Sequence, residues 1–376
     1  MSQKKIMIIS SDSSSDFYGA HLAEALKSMI PEAALFGVGG SMMEGREVQL
    51  LYNVSDLENL GGLEVLKTSH VIKRLVQRIS EAMDEYRPEL VVQIGLPAFS
   101  LKLVELAKAK ELPVVYYNSP LNWGTEPVKL SRLAKAVDKI IAVSRYESRL
   151  CESHGIDVEF AGHPLVDLMA PGAGQGLKDA LELAEDQPVA ALLPGGRETE
   201  VKMYLPTFLK AVKRINIEQH CLQTVIAVPK PIRPECCMAM IEKSGLDAVK
   251  ITDDVAGALS LAGTAVVASG PESILAALAQ VPAVAVHKVA TTAYFVDKML
   301  MRRSNFAMVN FLMQEEILPE LVQNEFTDKK TAEAVLKLLQ DPHGHAAYLQ
   351  KLERLPEELG TGGTIDRAAR IIANML

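Results

Sequence analysis

The segment LLPGGRETEV at residues 192–201 combines a buried strand, two glycines and the start of a helix. Its apolar run ends at Pro194, and Gly195 and Gly196 let the backbone approach a ligand closely. The first turn of the following helix offers unpaired N–H groups to an anion, and Arg197 adds a charge-assisted contact to a diphosphate. The segment therefore predicts a phosphate-binding loop. The alternative is a tight turn whose arginine caps a neighbouring carbonyl.

Short apolar runs of β type alternate with amphipathic helical runs along the chain, which is typical of βαβ units and parallel sheets. A flexible stretch, PGAGQG at 171–176, separates two such sets and is the best candidate for a linker. At 376 residues the chain is long enough for two α/β domains. We predict an N-terminal domain at 1–170, a C-terminal domain at 171–340 and C-terminal helices at 341–376.

The apolar runs predict the strands of two sheets. They lie at 5–10, 33–40, 90–95, 113–118 and 139–144, and then at 189–194, 223–229, 248–251, 264–269 and 282–287. Helices are predicted at 21–29, 63–86, 201–216, 235–244, 255–262, 271–280, 329–341 and 365–376. Ligands of such folds bind where loops leave the carboxyl ends of the strands.

Composition excludes several classes of protein. The net charge of −8 argues against nucleic acid as the main partner, because phosphate binding needs a basic surface. The N-terminal segment reads as a strand and not as a signal peptide, and no run approaches the roughly 20 apolar residues that span a bilayer. The four cysteines and the isolated HGH at 343–345 lack the spacing of a metal site. We expect a cytoplasmic protein with reduced thiols, no metal and no cofactor.

Two further polar segments follow predicted strands. SSDSSSD at 10–16 opens a helix, where hydroxyls and N–H groups suit an acceptor hydroxyl or a phosphate. Its acids are Asp12 and Asp16, for which a helix cap is the alternative. GHPLVD at 162–167 lies near the domain boundary and carries His163, which is either functional there or a structural histidine.

Together these segments resemble the lipid-A-disaccharide synthases, GT-B-fold glycosyltransferases of outer-membrane lipid assembly. The resemblance covers essentially the full chain and includes ASGPESI at 268–274 and NFLMQEEILPELVQ at 310–323. It implies an α/β GT-B fold, with two Rossmann-like parallel-sheet domains facing a cleft and a C-terminal helix crossing back to the N-terminal domain. It also implies nucleotide-sugar binding by Gly195, Gly196, Arg197, Ser269, Gly270, Glu272, Asn310 and Glu316.

The resemblance further implies a reaction. An inverting enzyme of this family transfers 2,3-diacylglucosamine from UDP-2,3-diacylglucosamine to 2,3-diacylglucosamine 1-phosphate and releases UDP. Its partners are the UDP-sugar donor and the lipid acceptor, and a homodimer is left open. Such enzymes need no metal, because helix dipoles and basic side chains meet the charge of the diphosphate.

The chain departs from the family pattern at residues used for chemistry. Gly95 and Ala98 replace two family aspartates, the first of them thought catalytic, and neither can take a proton from an acceptor hydroxyl. The remaining candidates for the base are Asp12, Asp16 and His163.

Other departures concern the nucleotide site. Leu275 replaces a glutamate that binds ribose, and Glu272 is the nearest acid that could reach the ribose instead. Glu126 and Glu315 stand at family arginines. Two alternatives therefore stay open, namely a diverged GT-B enzyme with another nucleotide sugar or acceptor, and a paralogue without catalysis.

Two basic apolar segments predict contact with a membrane surface. LEVLKTSHVIKRLVQRI at 63–79 has apolar residues at helical spacing with cations between them, and KMLMRRSNFAMVNFLM at 298–313 is the second. The alternative for the first segment is a core helix with a solvated face. The resulting expectation is a cytoplasmic protein attached peripherally to the inner membrane.

Overall fold

The computed structural model describes residues 3–10, 12–54, 65–95, 100–119, 127–169, 174–218, 222–230, 232–246, 248–288 and 305–376. Side chains are described within these ranges except at 65–72, 100, 127–129 and 218. Some of the predicted features lie outside the described residues. They are the differences from the family pattern at Ala98 and Glu126, the domain boundary at 170–171, and residues 298–304 of the second basic segment.

The first of two compact units comprises Met1–Asp167 and Leu359–Leu376. Among its described residues, seven parallel strands form one sheet in the order β3-β2-β1-β4-β5-β6-β7. These strands are β1 (Lys5–Ile9), β2 (Ala34–Gly39), β3 (Gln49–Asn53), β4 (Leu90–Ile94), β5 (Val114–Tyr117), β6 (Lys139–Ala142) and β7 (Val158–Phe160).

The second unit comprises Leu168–Glu358. Its described residues form a parallel sheet of six strands in the order β10-β9-β8-β11-β12-β13. These strands are β8 (Val189–Leu193), β9 (Gln223–Ala227), β10 (Val249–Thr252), β11 (Thr264–Ala268), β12 (Ala283–His287) and β13 (Glu320–Val322).

Helices connect the strands in both units. From the N-terminus, the described helices begin with α1 (Ser13–Met29), α2 (Ser41–Glu44), α3 (Val65–Tyr86), α4 (Ser100–Ala109), α5 (Pro127–Ala136), α6 (Arg145–Ser153) and α7 (Leu165–Leu168). They continue with α8 (Leu177–Ala180), α9 (Glu198–Glu218), α10 (Glu235–Ser244), α11 (Val255–Leu261), α12 (Pro271–Leu278), α13 (Met308–Met313), α14 (Asp328–Gln340), α15 (Pro342–Leu352), α16 (Leu355–Leu359) and α17 (Thr364–Ala373).

The central strands β1, β4, β8 and β11 are buried along almost their whole length, because helices cover both faces of a parallel sheet. This continuous burial explains why apolar runs located the central strands correctly. The edge strands β3 and β13 were not predicted, and β7 was expected only as an unbounded strand before GHPLVD. They are short and only partly buried, so no apolar run marks them.

The C-terminal helix returns to the first unit, as the resemblance implied. Helix α17 packs on α1, and the Lys4 ammonium donates a hydrogen bond of 2.6 Å to the carbonyl of Leu376. The return begins at Leu359, later than the predicted 341. Helix α15 belongs instead to the second unit, where the Tyr348 hydroxyl donates to the carbonyl of Val281 over 3.0 Å.

Helix α3 carries the first predicted membrane-facing segment. From residue 73 onward its apolar side chains lie in the core: Leu75, Val76 and Ile79 are at most 9% exposed. For these three residues the expectation of an interfacial face is wrong, and the alternative of a core helix with a solvated face holds. Of the helices that the structure describes, none is both long and apolar enough to cross a membrane.

Candidate functional site

Two loops of the second unit lie together at a topological switch point. The order of its sheet reverses between the neighbouring strands β8 and β11. Connections diverge there, and the resulting crevice at the carboxyl ends of the strands is where α/β sheets bind ligands. Strand β8 leads into residues 194–197 and β11 into residues 269–272. Six of the eight predicted binding residues are on these two loops.

The loop after β8 is shaped by glycine and continues into helix α9. Gly195 has φ +113°, and a Cβ there would lie 2.6 Å from Oε2 of Glu200, so another residue would be strained. Arg197 directly precedes α9, and its exposed guanidinium is paired with Glu200 on the first turn. The loop thus presents a guanidinium and a helix N-terminus, both of which attract anions.

The loop after β11 is held by hydrogen bonds from three directions. The carbonyl of Ser269 accepts from the N–H of Met308 at 2.8 Å, and its hydroxyl lies 2.8 Å from Nδ1 of His287. The Ser273 hydroxyl donates to the carbonyl of Gly270 at 2.7 Å and accepts from the N–H of Val309 at 3.2 Å. These contacts fix the start of α12 without using the side chain of Glu272.

Glu272 extends from the first turn of α12 toward the glycine loop. A Cβ placed on Gly196 would lie 3.8 Å from Oε1 of Glu272. Burial, reinforced by the Glu200 carboxylate, raises the pKa of the Glu272 carboxyl to about 8, although Arg197 acts in the opposite direction. At neutral pH this carboxyl is therefore mostly protonated.

Asn310 and Glu316, the other two predicted binding residues, lie on a separate segment. Asn310 is fully buried, and its Oδ1 accepts from the N–H groups of Ile317 and Leu318 at 2.8 and 2.9 Å. Its Nδ2 donates to Glu320 at 2.7 Å. Glu316 is exposed. The amide of Asn310 holds this segment together, so a direct contact of Asn310 with the nucleotide stays a prediction.

The first sheet has its own switch point, between β1 and β4, and two predicted acids follow β1. Asp12 caps α1: its Oδ1 accepts from the N–H of Ser15 at 2.7 Å, and the Ser15 hydroxyl accepts from the N–H of Asp12 at 3.0 Å. Asp16 is buried, and its carboxylate accepts from the N–H groups of Gly40, Met42 and Met43 at 2.6, 3.1 and 3.2 Å. Both acids thus have structural partners, and Asp12 is the more exposed.

The GHPLVD segment docks the C-terminal part of the chain. The N–H of His163 donates to the carbonyl of Leu359 at 2.7 Å. The carboxylate of Asp167 accepts from the N–H of Gly363 at 2.7 Å, and from the Thr364 hydroxyl and the Ile365 N–H at 2.9 Å each, which caps α17. The segment therefore has a structural function within the first unit.

His163 itself is buried and 2% exposed. Its Nδ1 accepts from the N–H of Leu165 at 3.3 Å, which assigns the ring proton to Nε2, and its ring meets Tyr18 edge-on. Burial lowers the pKa of His163 to about 3, so the ring is neutral at physiological pH. Such a weakly basic imidazole is poorly matched to general-base catalysis near neutral pH.

Glu147 is a buried acid that sequence reasoning missed. Its Oε1 accepts from the N–H and hydroxyl of Ser119 at 2.8 and 2.5 Å, and its Oε2 accepts from the N–H of Val143 at 2.8 Å. Burial raises the pKa of Glu147 to about 7. Ser144 caps helix α6 three residues earlier, and this Ser-x-x-Glu spacing was the available signal. Glu147 joins the loops that follow β5 and β6.

Within the described parts of the chain, no group of three or more histidine, cysteine or acidic side chains is placed to hold a metal ion. The donor groups gathered at the second switch point are instead an arginine, backbone N–H groups and a largely neutral carboxyl. This set suits a phosphate-containing ligand.

Solved structures identify the class of fold. S. aureus MnaA in its UDP co-structure matches with a TM-score of 0.69 at 15% identity, covering 100% of this chain and 98% of that chain. Medicago truncatula UGT71G1 complexed with UDP-glucose matches with a TM-score of 0.61 at 11% identity, covering 99% and 98%. The chain has the GT-B fold shared by glycosyltransferases and sugar-nucleotide epimerases.

Sequence relatives narrow the class to one family. The family model for lipid-A-disaccharide synthetase matches residues 6–368. The lipid-A-disaccharide synthase of Coxiella burnetii strain CbuG_Q212 is 31% identical over 378 residues, which cover 100% of both chains. The chain belongs to the lipid-A-disaccharide synthase family of glycosyltransferases.

Proposed function

We propose that the chain transfers 2,3-diacylglucosamine from UDP-2,3-diacylglucosamine to 2,3-diacylglucosamine 1-phosphate, with inversion and release of UDP. The supporting observation is the pair of loops at the switch point of the second sheet, in a chain of this family. The glycine-shaped loop of residues 194–197 allows a diphosphate to approach the backbone, and Arg197 supplies a charge that stabilises the leaving UDP.

The base that activates the acceptor hydroxyl is best sought at Asp12. Asp16 is committed to three backbone N–H groups, and His163 is neutral and weakly basic. Asp12 is partly exposed directly after β1, beside the switch point of the first sheet. A base has to come within about 3 Å of the hydroxyl or act through one water, and exposure makes that approach feasible.

Peripheral attachment to a membrane is a further part of this proposal. Three cationic side chains on α3 are exposed, namely those of Lys73, Arg74 and Arg78. Because the apolar side chains of the same turns are in the core, these three cations would bind a membrane by electrostatic attraction to anionic lipid. Binding to vesicles with anionic lipid, weakened when all three are changed to Gln, would support attachment; equal binding to neutral vesicles would oppose it.

The first experiment measures UDP release from UDP-2,3-diacylglucosamine in the presence of the lipid acceptor. We expect turnover by the unchanged chain, and a loss of at least about 100-fold in Arg197→Ala, the order found when one group that stabilises a transition state is removed. Arg214→Ala is the matched control, because Arg214 is an arginine on α9, the helix that Arg197 precedes, but pairs with Asp328. Asp12→Asn tests the base.

A changed substrate is the second candidate. Gly95 has φ +70° and its carbonyl accepts from the Tyr116 hydroxyl at 2.7 Å, so this position supplies backbone and no acid. UDP binding without turnover of the lipid pair would favour this candidate or a silent paralogue. Turnover with another UDP-sugar would select the changed substrate.

A further inference from the structure

Glu272 lies beside the two loops to which the proposed function assigns the diphosphate of the donor. It is the second residue of α12, after Gly270 and Pro271, and its Oε2 lies 3.0 Å from the Cβ position of Gly270. Its Oε1 points across to Gly196 on the neighbouring loop. One carboxyl group thus borders both loops of the switch point, at a helix N-terminus where anions are favoured.

The charges around Glu272 disfavour its ionised form beside a diphosphate. Of the described elements, α9 contributes Glu200 and Tyr204 to its surroundings, and Arg197 directly precedes that helix. His287 ends β12 next to Ser269, while β11, α11 and α13 carry no titratable side chain. With Glu272 ionised, the two glutamates and one arginine sum to −1, and with Glu272 protonated they sum to zero.

We propose that Glu272 contacts the diphosphate as a neutral acid that donates a hydrogen bond, so that UDP binds together with one proton when the carboxyl starts ionised. This inference rests on the proposed UDP-sugar function and names a residue of the same site that contacts the ligand. It assigns Glu272 to the diphosphate, whereas the position of Glu272 in the sequence suggested the ribose. An ionised glutamate that accepts from ribose hydroxyls would favour binding at high pH, whereas a neutral donor favours binding at low pH.

The experiment measures the UDP dissociation constant of the full chain by calorimetry from pH 7 to pH 9. The terminal phosphate of UDP is already ionised in this window, since phosphate groups lose their second proton near pH 6. Because burial raises the pKa of Glu272 to about 8, the dissociation constant should increase roughly tenfold from pH 7 to pH 9. Buffers with different heats of ionisation should show nearly one proton taken up at pH 9.

Glu272→Gln keeps the shape and a hydrogen-bond donor but cannot ionise. We expect its UDP affinity to match the unchanged chain at pH 7 and to vary less than about twofold to pH 9. Glu198→Gln is the matched control: Glu198 begins the same helix as Glu200 but is exposed and paired with Lys202, so this variant should keep the tenfold increase.

The outcomes separate this inference from the proposed function. UDP binding that is flat or stronger at high pH overturns the neutral-acid role and leaves the proposed function standing. Loss of binding in a folded Glu272→Gln at pH 7 also overturns it. No UDP binding at any pH overturns both. Proton uptake is measured on the unchanged chain, so the inference is tested even if the variant fails to fold.

Discussion

The first sheet has acids at its switch point that are held by backbone N–H groups, whereas the second has an arginine and a largely neutral acid beside a glycine-shaped loop. At the switch point, Asp16 accepts three hydrogen bonds from Gly40 and the start of α2; elsewhere in the same sheet, Glu147 likewise joins the loops after β5 and β6. In the second unit, Arg197 is exposed and Glu272 borders both loops. A polar residue at a switch point can therefore either hold the fold together or contact a ligand, and its hydrogen bonds to the backbone distinguish the two.

The largest expected effect is on Asp16. Asp16→Ala would leave three N–H groups without their acceptor, at a cost of about 4 kcal/mol in the free energy of unfolding, measured by urea denaturation. UDP affinity of the folded fraction should not change, because the nucleotide loops belong to the other unit. Asp12→Ala, which removes a helix cap, should cost only about 1 kcal/mol. An Asp16→Ala protein of normal stability but no activity would instead make Asp16 catalytic.

The contrast between the two regions also separates what sequence could predict from what it could not. Continuous apolar runs located β1 and β8 because central strands of parallel sheets are buried on both faces. The glycine–arginine loop was found because its chemistry is local. The partners of Asp16 were hidden, since the N–H groups it binds are 24 to 27 residues further along the chain.

The same limit applies to Glu272 and Glu147. Neither raised pKa follows from neighbours in sequence alone: burial within the fold causes both shifts. The sequence placed Glu272 near the ribose by analogy, but only the folded loops bring its carboxyl across to Gly196. Residue type predicted which side chains could bind a ligand or transfer a proton. Tertiary contacts decided which of them already hold hydrogen bonds within the fold.

The next effect concerns Glu147 and pH. Its folded pKa of about 7 exceeds the ordinary 4.5, so the folded state holds a proton that the unfolded state has lost between these values. Stability therefore falls as pH rises from about 4.5 to 7, by roughly 3 kcal/mol as an upper bound. Glu147→Gln should flatten this slope in urea denaturation, while Glu152→Gln, exposed on the same helix, should keep it. An unchanged slope in Glu147→Gln would show that another group is responsible.

A smaller effect is expected at the glycine loop. Gly195→Ala places a Cβ at φ +113° and within 2.6 Å of Glu200, which strains the loop by about 2 kcal/mol. Relief of that strain displaces Arg197, so the UDP dissociation constant should increase about tenfold or more. Gly245→Ala is the control, because Gly245 also has a positive φ, +67°, but ends α10 and is on neither of the two loops. Equal UDP affinity in both variants would show that UDP binding by the second unit depends on charge and not on the shape of the glycine loop.

The smallest effect is expected at His163, and it tests whether this residue belongs with the structural groups of the first unit. Its folded pKa of about 3 lies below the ordinary 6.5, so its contribution to stability is complete above pH 6.5 and is lost as pH falls toward 3. At pH 5.5, protonation of His163 in the unfolded state lowers the free energy of unfolding by about 1.4 kcal/mol, and His163→Gln should remove this loss. Between pH 6.5 and 8.5 the same variant should keep the shape of the pH–activity profile. Loss of the acidic limb of that profile, with stability unchanged, would make His163 the base and would place chemistry in the GHPLVD segment.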